Sequence, residues 1–218
     1  MKDNNFKAIL FDLDGTLLDS LDDLSECANS AIASKGFPIH TTADYKVFVG
    51  DGVQALIKRA CPEGTDQHTL DECIALMKNF YSENWSKHST LYPGIADLLT
   101  RCSELKISLN ILSNKPDSFC KKIAEHYLAD WKFDLIRGAL DEFPLKPDPS
   151  SAINIIKKSN FSANEWIYLG DTDTDMQTAS NANLKAVGVS WGFRSSEELL
   201  QNGANLVINS PLELLDLF

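Results

Sequence analysis

Cysteine is sparse and carries no paired pattern. Cys27, Cys61, Cys73, Cys102 and Cys120 are odd in number, and no two of them form a C-x-x-C unit. This argues against a disulfide framework and against a thiolate zinc site, and it fits reduced thiols in a cytoplasmic protein. Histidine is scarcer still: His40, His68, His88 and His126 are scattered and fit no metal-ligand spacing. No apolar run is long enough to span a bilayer, and the polar start Met1-Lys2-Asp3-Asn4-Asn5 does not read as a signal peptide. Internal repeats and low-complexity tracts are absent. Positive charge is also short, with 20 Lys and Arg against 31 Asp and Glu and a net charge of −11. That balance argues against a nucleic-acid partner. A phosphate-bearing ligand would meet the same repulsive field. Any phosphate site must therefore draw its attraction locally, from a metal, from lysines and from backbone N–H groups.

What is present is an ordinary apolar fraction on 218 residues, enough for one sizeable core and a smaller subdomain. Residues 7–11 read as a buried strand. A helix is expected over 20–35, with Leu21, Leu24, Ala28, Ala31 and Ile32 at helical spacing and Gly36 and Pro38 ending it. Further helices are expected over 52–60 and 68–87. The second carries the stripe Leu70, Ile74, Met77, Phe80, Tyr81 and Trp85, which reads as a packing face rather than a ligand groove. From Pro93 the pattern alternates. Helices are expected over 95–105, 117–128, 149–158, 173–182, 196–201 and 211–217. Strands are expected over 107–112, 133–137, 166–169, 185–189 and 206–208. Such alternation implies an α/β fold with a doubly wound, mostly parallel sheet, a Rossmann-like core. The helical stretch interrupts it after one strand. The expected division is a core of 1–17 and 90–218 with an inserted α-helical cap of 18–89, hinged near 17–20 and 88–94.

The chemistry gathers where the apolar strands end. Ala8-Ile9-Leu10-Phe11 runs into Asp12-Leu13-Asp14-Gly15-Thr16. Adjacent carboxylates at a strand's C-terminal end suit a hard divalent cation such as Mg²⁺ and an aspartate nucleophile. Alone, the same residues also describe a surface turn rich in Asp and Gly. Ser113 and Asn114 follow a second apolar run at a helix start, which suits a phosphate oxygen, although either could simply cap the turn. Lys115 reads as solvated. Lys146 precedes Pro147-Asp148-Pro149, and the two prolines would hold it near the nucleophile. Asp171 and Asp175 follow a third apolar run and are four residues apart, so one helix face carries both. Asp173 lies on another face and reads as a helix N-cap or solvated.

Together and in this order these segments resemble the haloacid dehalogenase-like hydrolase superfamily, over nearly the whole chain. Phe48-Val49-Gly50-Asp51-Gly52, Leu91-Tyr92-Pro93-Gly94 and Val189-Ser190-Trp191-Gly192 bring it closer to the phosphoglycolate phosphatase-like branch. The resemblance implies a Mg²⁺-dependent phosphatase acting on a small phosphorylated metabolite, most plainly 2-phosphoglycolate, through an aspartyl-phosphate. It implies Asp12 as nucleophile, with Asp12, the Asp14 carbonyl and Asp171 as metal ligands. Asp14 becomes general acid and base. Dehalogenases lack an acid there, because a halide leaves without a proton. Ser113, Asn114 and Lys146 would contact phosphate, and Asp175 would support the metal or orient Lys146. The cap must then choose the substrate. Gly50, Asp51 and Gly52 are expected to form a tight loop facing the site, and Arg59 to meet a substrate carboxylate. A sugar phosphomutase, a pyrophosphatase or nucleotidase, and a non-enzymatic phosphate-sensing module are alternatives on the same core. The retained Asp12 and Asp14 weigh against the last. A monomer or homodimer is expected.

Overall fold

The computed structural model describes residues 6–218, and the reading of residues 1–5 falls outside them. Strand β1, Ala8–Phe11, is buried along its length. A parallel strand covered on both faces needs apolar residues at every position, and Ala8-Ile9-Leu10-Phe11 supplies them. Alternate side chains enter different cores. Ile9 and Phe11 join one cluster, and Ala8 and Leu10 join the other.

The chain then forms a two-residue strand β2, Leu18–Asp19, and four helices: α1 (Leu21–Ala33), α2 (Thr42–Phe48), α3 (Gly52–Ala60) and α4 (Gln67–Asn84). Strand β3, Thr90–Leu91, returns antiparallel to β2. The two connections of the helical insertion are thus hydrogen-bonded to each other. Regular alternation follows: α5 (Ile95–Glu104), β4 (Ser108–Pro116), α6 (Asp117–Tyr127), β5 (Leu135–Ala139), α7 (Ser150–Lys158), β6 (Trp166–Gly170), α8 (Asp173–Asn181), β7 (Lys185–Val189), α9 (Ser196–Gln201) and β8 (Leu206–Ile208). A 3₁₀ segment, Pro211–Leu217, closes the chain where an α-helix was expected. The main sheet has the order β5-β4-β1-β6-β7-β8, and its pairings are parallel. Apolar residues of α5 and α6 pack on the face of Ile9 and Phe11, and those of α7, α8 and α9 on the other. Among the described residues no helix is long and apolar enough to cross a membrane.

Strand order reverses beside β1, the position where open α/β sheets bind ligands. Register sharpens the point. Phe11 lies between Ile111 of β4 and Leu169 of β6. Asp12, one residue beyond Phe11, and Ser113 and Asp171, two beyond Ile111 and Leu169, therefore lie along one edge of the sheet.

The helical insertion is tied at its base by a buried carboxylate. Asp23 of α1 accepts hydrogen bonds from the backbone N–H of His88 (2.9 Å) and Ser89 (2.9 Å) and from Ser89 Oγ (2.6 Å). Asp23 is 1% exposed, so its removal would strand these donors without water. Asp23→Ala is expected to cost about 2–4 kcal/mol and to lower the melting temperature by roughly 5–15 °C. A calorimetric shift below about 2 °C would show that the bonds do not hold the base of the insertion.

Candidate active site

Asp12, at the first position beyond β1, donates its N–H to the Leu169 carbonyl (2.9 Å) and is itself buried. Its carboxylate, with those of Asp171 and Asp175, forms a cluster whose nearest oxygens lie within 4.8 Å of one another. Lys146 bridges this cluster: its Nζ lies 2.8 Å from Asp12 Oδ1 and 2.6 Å from Asp175 Oδ1. Burial and the charge of Asp175 push the Asp12 carboxyl up to about 7, against the pull of Lys146. Burial, Asp175 and Asp12 raise the Asp171 carboxyl well above its ordinary range. Burial alone would draw the Lys146 ammonium down, yet Asp12 and Asp175 hold it well above the usual lysine value.

Asp175 and Asp171 are held differently. Asp175 Oδ2 accepts from the N–H groups of Asp171 and Thr172 and from Thr172 Oγ1, while Oδ1 takes Lys146 and the Tyr168 hydroxyl. Both oxygens of Asp175 are thus committed, and its geometry is that of a holder for Lys146. Thr172, not Asp173, is the N-cap of α8, in a reciprocal capping box with Asp175. The expected capping role of Asp173 is corrected accordingly. Asp171 accepts one bond on each oxygen, from Thr16 Oγ1 (2.9 Å) and the Phe193 N–H (2.9 Å), which leaves acceptor capacity on both. Two glycines make room for it. A Cβ on Gly15, which has φ +88°, or on Gly192 would collide with the Asp171 side chain.

Asp14 lies beside this cluster with a cation of its own. Lys115 Nζ lies 3.0 and 2.9 Å from its two oxygens, and Ser20 Oγ donates to Oδ1 at 2.6 Å. The solvated reading of Lys115 is therefore wrong. Strand β4 continues past Leu112 to Pro116, which carries Ser113, Asn114 and Lys115 inward as buried residues. Asn114 also departs from expectation. Its Nδ2 donates to the Gly50 and Lys146 carbonyls, and its Oδ1 accepts from the Lys146 N–H. Both side-chain donors are spent, so the side chain positions the Lys146 loop and is not free for a phosphate oxygen. Ser113 lines the cavity beside Asp12.

The helical insertion closes over this edge. A cavity of about 70 Å³ lies between the two parts. Its floor holds Asp12, Asp14, Ser113 and Lys115, and its roof includes Gly50, Gly52, Val53, Leu56 and Tyr81. Gly50 and Gly52 thus face the site as expected, but Asp51 and Arg59 do not line it. Asp51 accepts from Thr174 Oγ1 of α8 at 2.6 Å and pairs with the Arg59 guanidinium, which also donates to the Phe48 carbonyl at 2.9 Å. The Thr174 and Arg59 hydrogen bonds hold the Asp51 carboxyl low despite its burial. Arg194 donates from the other side to the carbonyls of Lys46 and Val49. Arg59 and Asp51 therefore belong to a latch between insertion and core. Trp191 is half-buried against the core, its Nε1 donating to the Thr16 carbonyl at 3.1 Å.

The donor set fits a divalent cation. Among the described residues Lys115 and Lys146 are the cations paired with Asp12, Asp14 and Asp175, so the four carboxylates including Asp171, when ionised, carry two negative charges without a partner in a largely buried cluster. Uncompensated carboxylates are costly away from water, and a hard cation with oxygen ligands relieves that cost. Asp12 and Asp171 are the side chains able to ligate it.

The chain is similar to known proteins over most of its length. Residues 9–189 match the haloacid dehalogenase-like hydrolase family. The phosphoglycolate phosphatase of Vibrio parahaemolyticus serotype O3:K6 is 31% identical, over 99% of this chain and 97% of its own. That of Photobacterium profundum is 33% identical, over 96% and 94%. Among solved structures, a protein of Lactobacillus delbrueckii subsp. bulgaricus superposes with a TM-score of 0.91 at 27% identity, covering 96% of this chain and 97% of that one. A haloacid dehalogenase-like family hydrolase of Streptococcus pneumoniae, at 24% identity and TM-score 0.88, shares the fold over 97% of this chain and 98% of its own. With its carboxylates gathered at one sheet edge beneath a helical insertion, the chain belongs to the haloacid dehalogenase-like hydrolase family.

Proposed function

We propose that this phosphatase is Mg²⁺-dependent and hydrolyses a small phosphomonoester, 2-phosphoglycolate foremost, through a covalent intermediate on Asp12. The observation that carries the reading is the buried Asp12, Asp171 and Asp175 cluster bridged by Lys146, with Asp12 lining the cavity beneath the helical insertion. The phosphoglycolate phosphatases of Vibrio and Photobacterium, similar along nearly their whole length, support the substrate.

In this reading Asp12 attacks phosphorus, and the P–O bond to the leaving group breaks. Asp14, held by Lys115 and Ser20, gives its proton to the departing alkoxide. It then takes a proton from the water that attacks the aspartyl-phosphate, releasing inorganic phosphate and restoring Asp12. Lys146 offsets charge on the transferring group, with Ser113 Oγ as a phosphate contact. Asp12, the Asp14 carbonyl and Asp171 would hold Mg²⁺, which when bound supplies charge neutralisation for attack of an anion on an anion. Residues 18–89 act as the cap over a core of 1–17 and 90–218. The cap excludes bulk water when closed and admits substrate when open.

Asp12→Asn should lower kcat by at least about 10³-fold while leaving the circular dichroism spectrum unchanged. Near wild-type turnover, with mass spectrometry excluding deamidation, would remove Asp12 as nucleophile. Arg59→Ala should weaken the latch without touching substrate directly. Its kcat/KM is expected to fall by the same factor for 2-phosphoglycolate and for an aryl phosphate. A loss confined to 2-phosphoglycolate would return Arg59 to the substrate.

A further inference from the structure

The cavity roof carries one polar group that the reaction above does not use. Tyr81 of α4 is 4% exposed, and its hydroxyl meets no hydrogen-bond partner among the described residues. It lines the same cavity as Asp12, Asp14 and Ser113. Lys115 lies against it, with Nζ 4.5 Å from the centre of the Tyr81 ring. A buried hydroxyl without a partner is costly in a folded protein, and such groups call for an explanation. Lys115 is in a related position. An ammonium has three N–H donors; the two oxygens of Asp14 engage Lys115 Nζ on one side, and its remaining side is turned to Tyr81.

The surrounding walls sharpen the contrast. Leu24, Val49, Val53, Leu56, Met77 and Phe119 close the cavity with apolar surface. Lys78 also borders it but is exposed, and the Arg59 guanidinium is engaged elsewhere. A polar group on the substrate beyond its phosphate would find Tyr81 Oη and Lys115 Nζ as the buried side-chain partners deep in the cavity, with the solvated Lys78 at its border.

We propose that Tyr81 and Lys115 together receive a carboxylate on the leaving group, and that this pair selects the substrate. The assignment rests on the phosphomonoesterase reading and deepens it. A neutral phenol beside an ammonium presents donors to an anion, which suits a carboxylate better than an apolar or cationic group. Position limits chain length as well. Lys115 is bonded to Asp14, which protonates the ester oxygen. A group held by Lys115 thus sits close to that oxygen, one or two carbons away. The substrate class is a short phosphate ester with a carboxylate next to the ester carbon. A long or uncharged leaving group would leave the Tyr81 hydroxyl unpaired against apolar walls.

The test compares 2-phosphoglycolate with ethyl phosphate, which has a similar chain and no carboxylate, in wild type and in Tyr81→Phe. The substitution removes one oxygen that has no protein partner, so the melting temperature should not fall. The ratio of kcat/KM for 2-phosphoglycolate over ethyl phosphate should drop about tenfold or more, carried mainly by KM. Loss of a merely structural contact would lower both substrates together. An unchanged ratio in Tyr81→Phe, or a wild-type preference for ethyl phosphate, would overturn the assignment and leave the phosphatase reading standing. Wild-type protein inert toward both esters, with Mg²⁺ present, would overturn the phosphatase reading and the pocket assignment with it.

Discussion

The Lys146 ammonium, buried between Asp12 and Asp175, is the contact on which the site depends. It lies 2.8 Å from one carboxylate and 2.6 Å from the other. Breaking such a buried pair from one side typically costs about 3–5 kcal/mol, because the partner charge is left in a poor solvent. The surroundings are built to prevent this. Asn114 clamps the backbone of Lys146 at both its N–H and its carbonyl, and Asp175 is fixed by the first turn of α8. The end of β4, the loop before α7, the residue after β1 and the start of α8 are thereby joined through Lys146. The result is a nucleophile candidate whose position is set by three separate parts of the chain.

Charge organises the site on a second level. Asp14 has its own cation in Lys115, so the two aspartates of the first strand end sit in different environments only two residues apart. Each of the two carboxylates is thereby held by a separate lysine and kept distinct from the other. The insertion lies over this edge of the sheet. Arg194 and Asp51 join it to the core through a few polar contacts, while Val53, Leu56 and Phe119 give the cavity a mostly apolar lining.

Much of this was legible in the chain itself. A buried parallel strand needs continuous apolar residues, so Ala8–Phe11 and Trp166–Gly170 announced themselves, and polar residues just beyond them marked the site. Lys185–Val189, Ser196–Gln201 and Leu206–Ile208 have the bounds expected from pattern. Helix α2 was missed because Tyr45 is its only buried residue, too few for a periodic signal. Its capping box at Thr41 and Asp44 was the cue available. Strands β2 and β3 have two residues each and no pattern to read. Lys115 was misplaced because one apolar run does not tell how far a strand continues into polar residues. Arg59 was assigned to substrate by charge alone, and only the fold shows Asp51 and Phe48 as its partners. The stripe on α4 is packing for the most part, yet Met77 and Tyr81 also border the cavity.

The central claim is that a divalent cation completes the charge balance of the cluster around Asp12 and Asp171. Thermal unfolding followed with and without Mg²⁺ tests it without reference to turnover. With the ion at 10 to 100 times its dissociation constant, linkage predicts a melting temperature higher by about 3–8 °C for the wild type. The same rise is expected in Asp173→Asn, whose carboxylate lies outside the cluster, and it should vanish in Asp171→Asn. A wild-type melting temperature indifferent to Mg²⁺, or an equal rise in Asp171→Asn, would contradict the account.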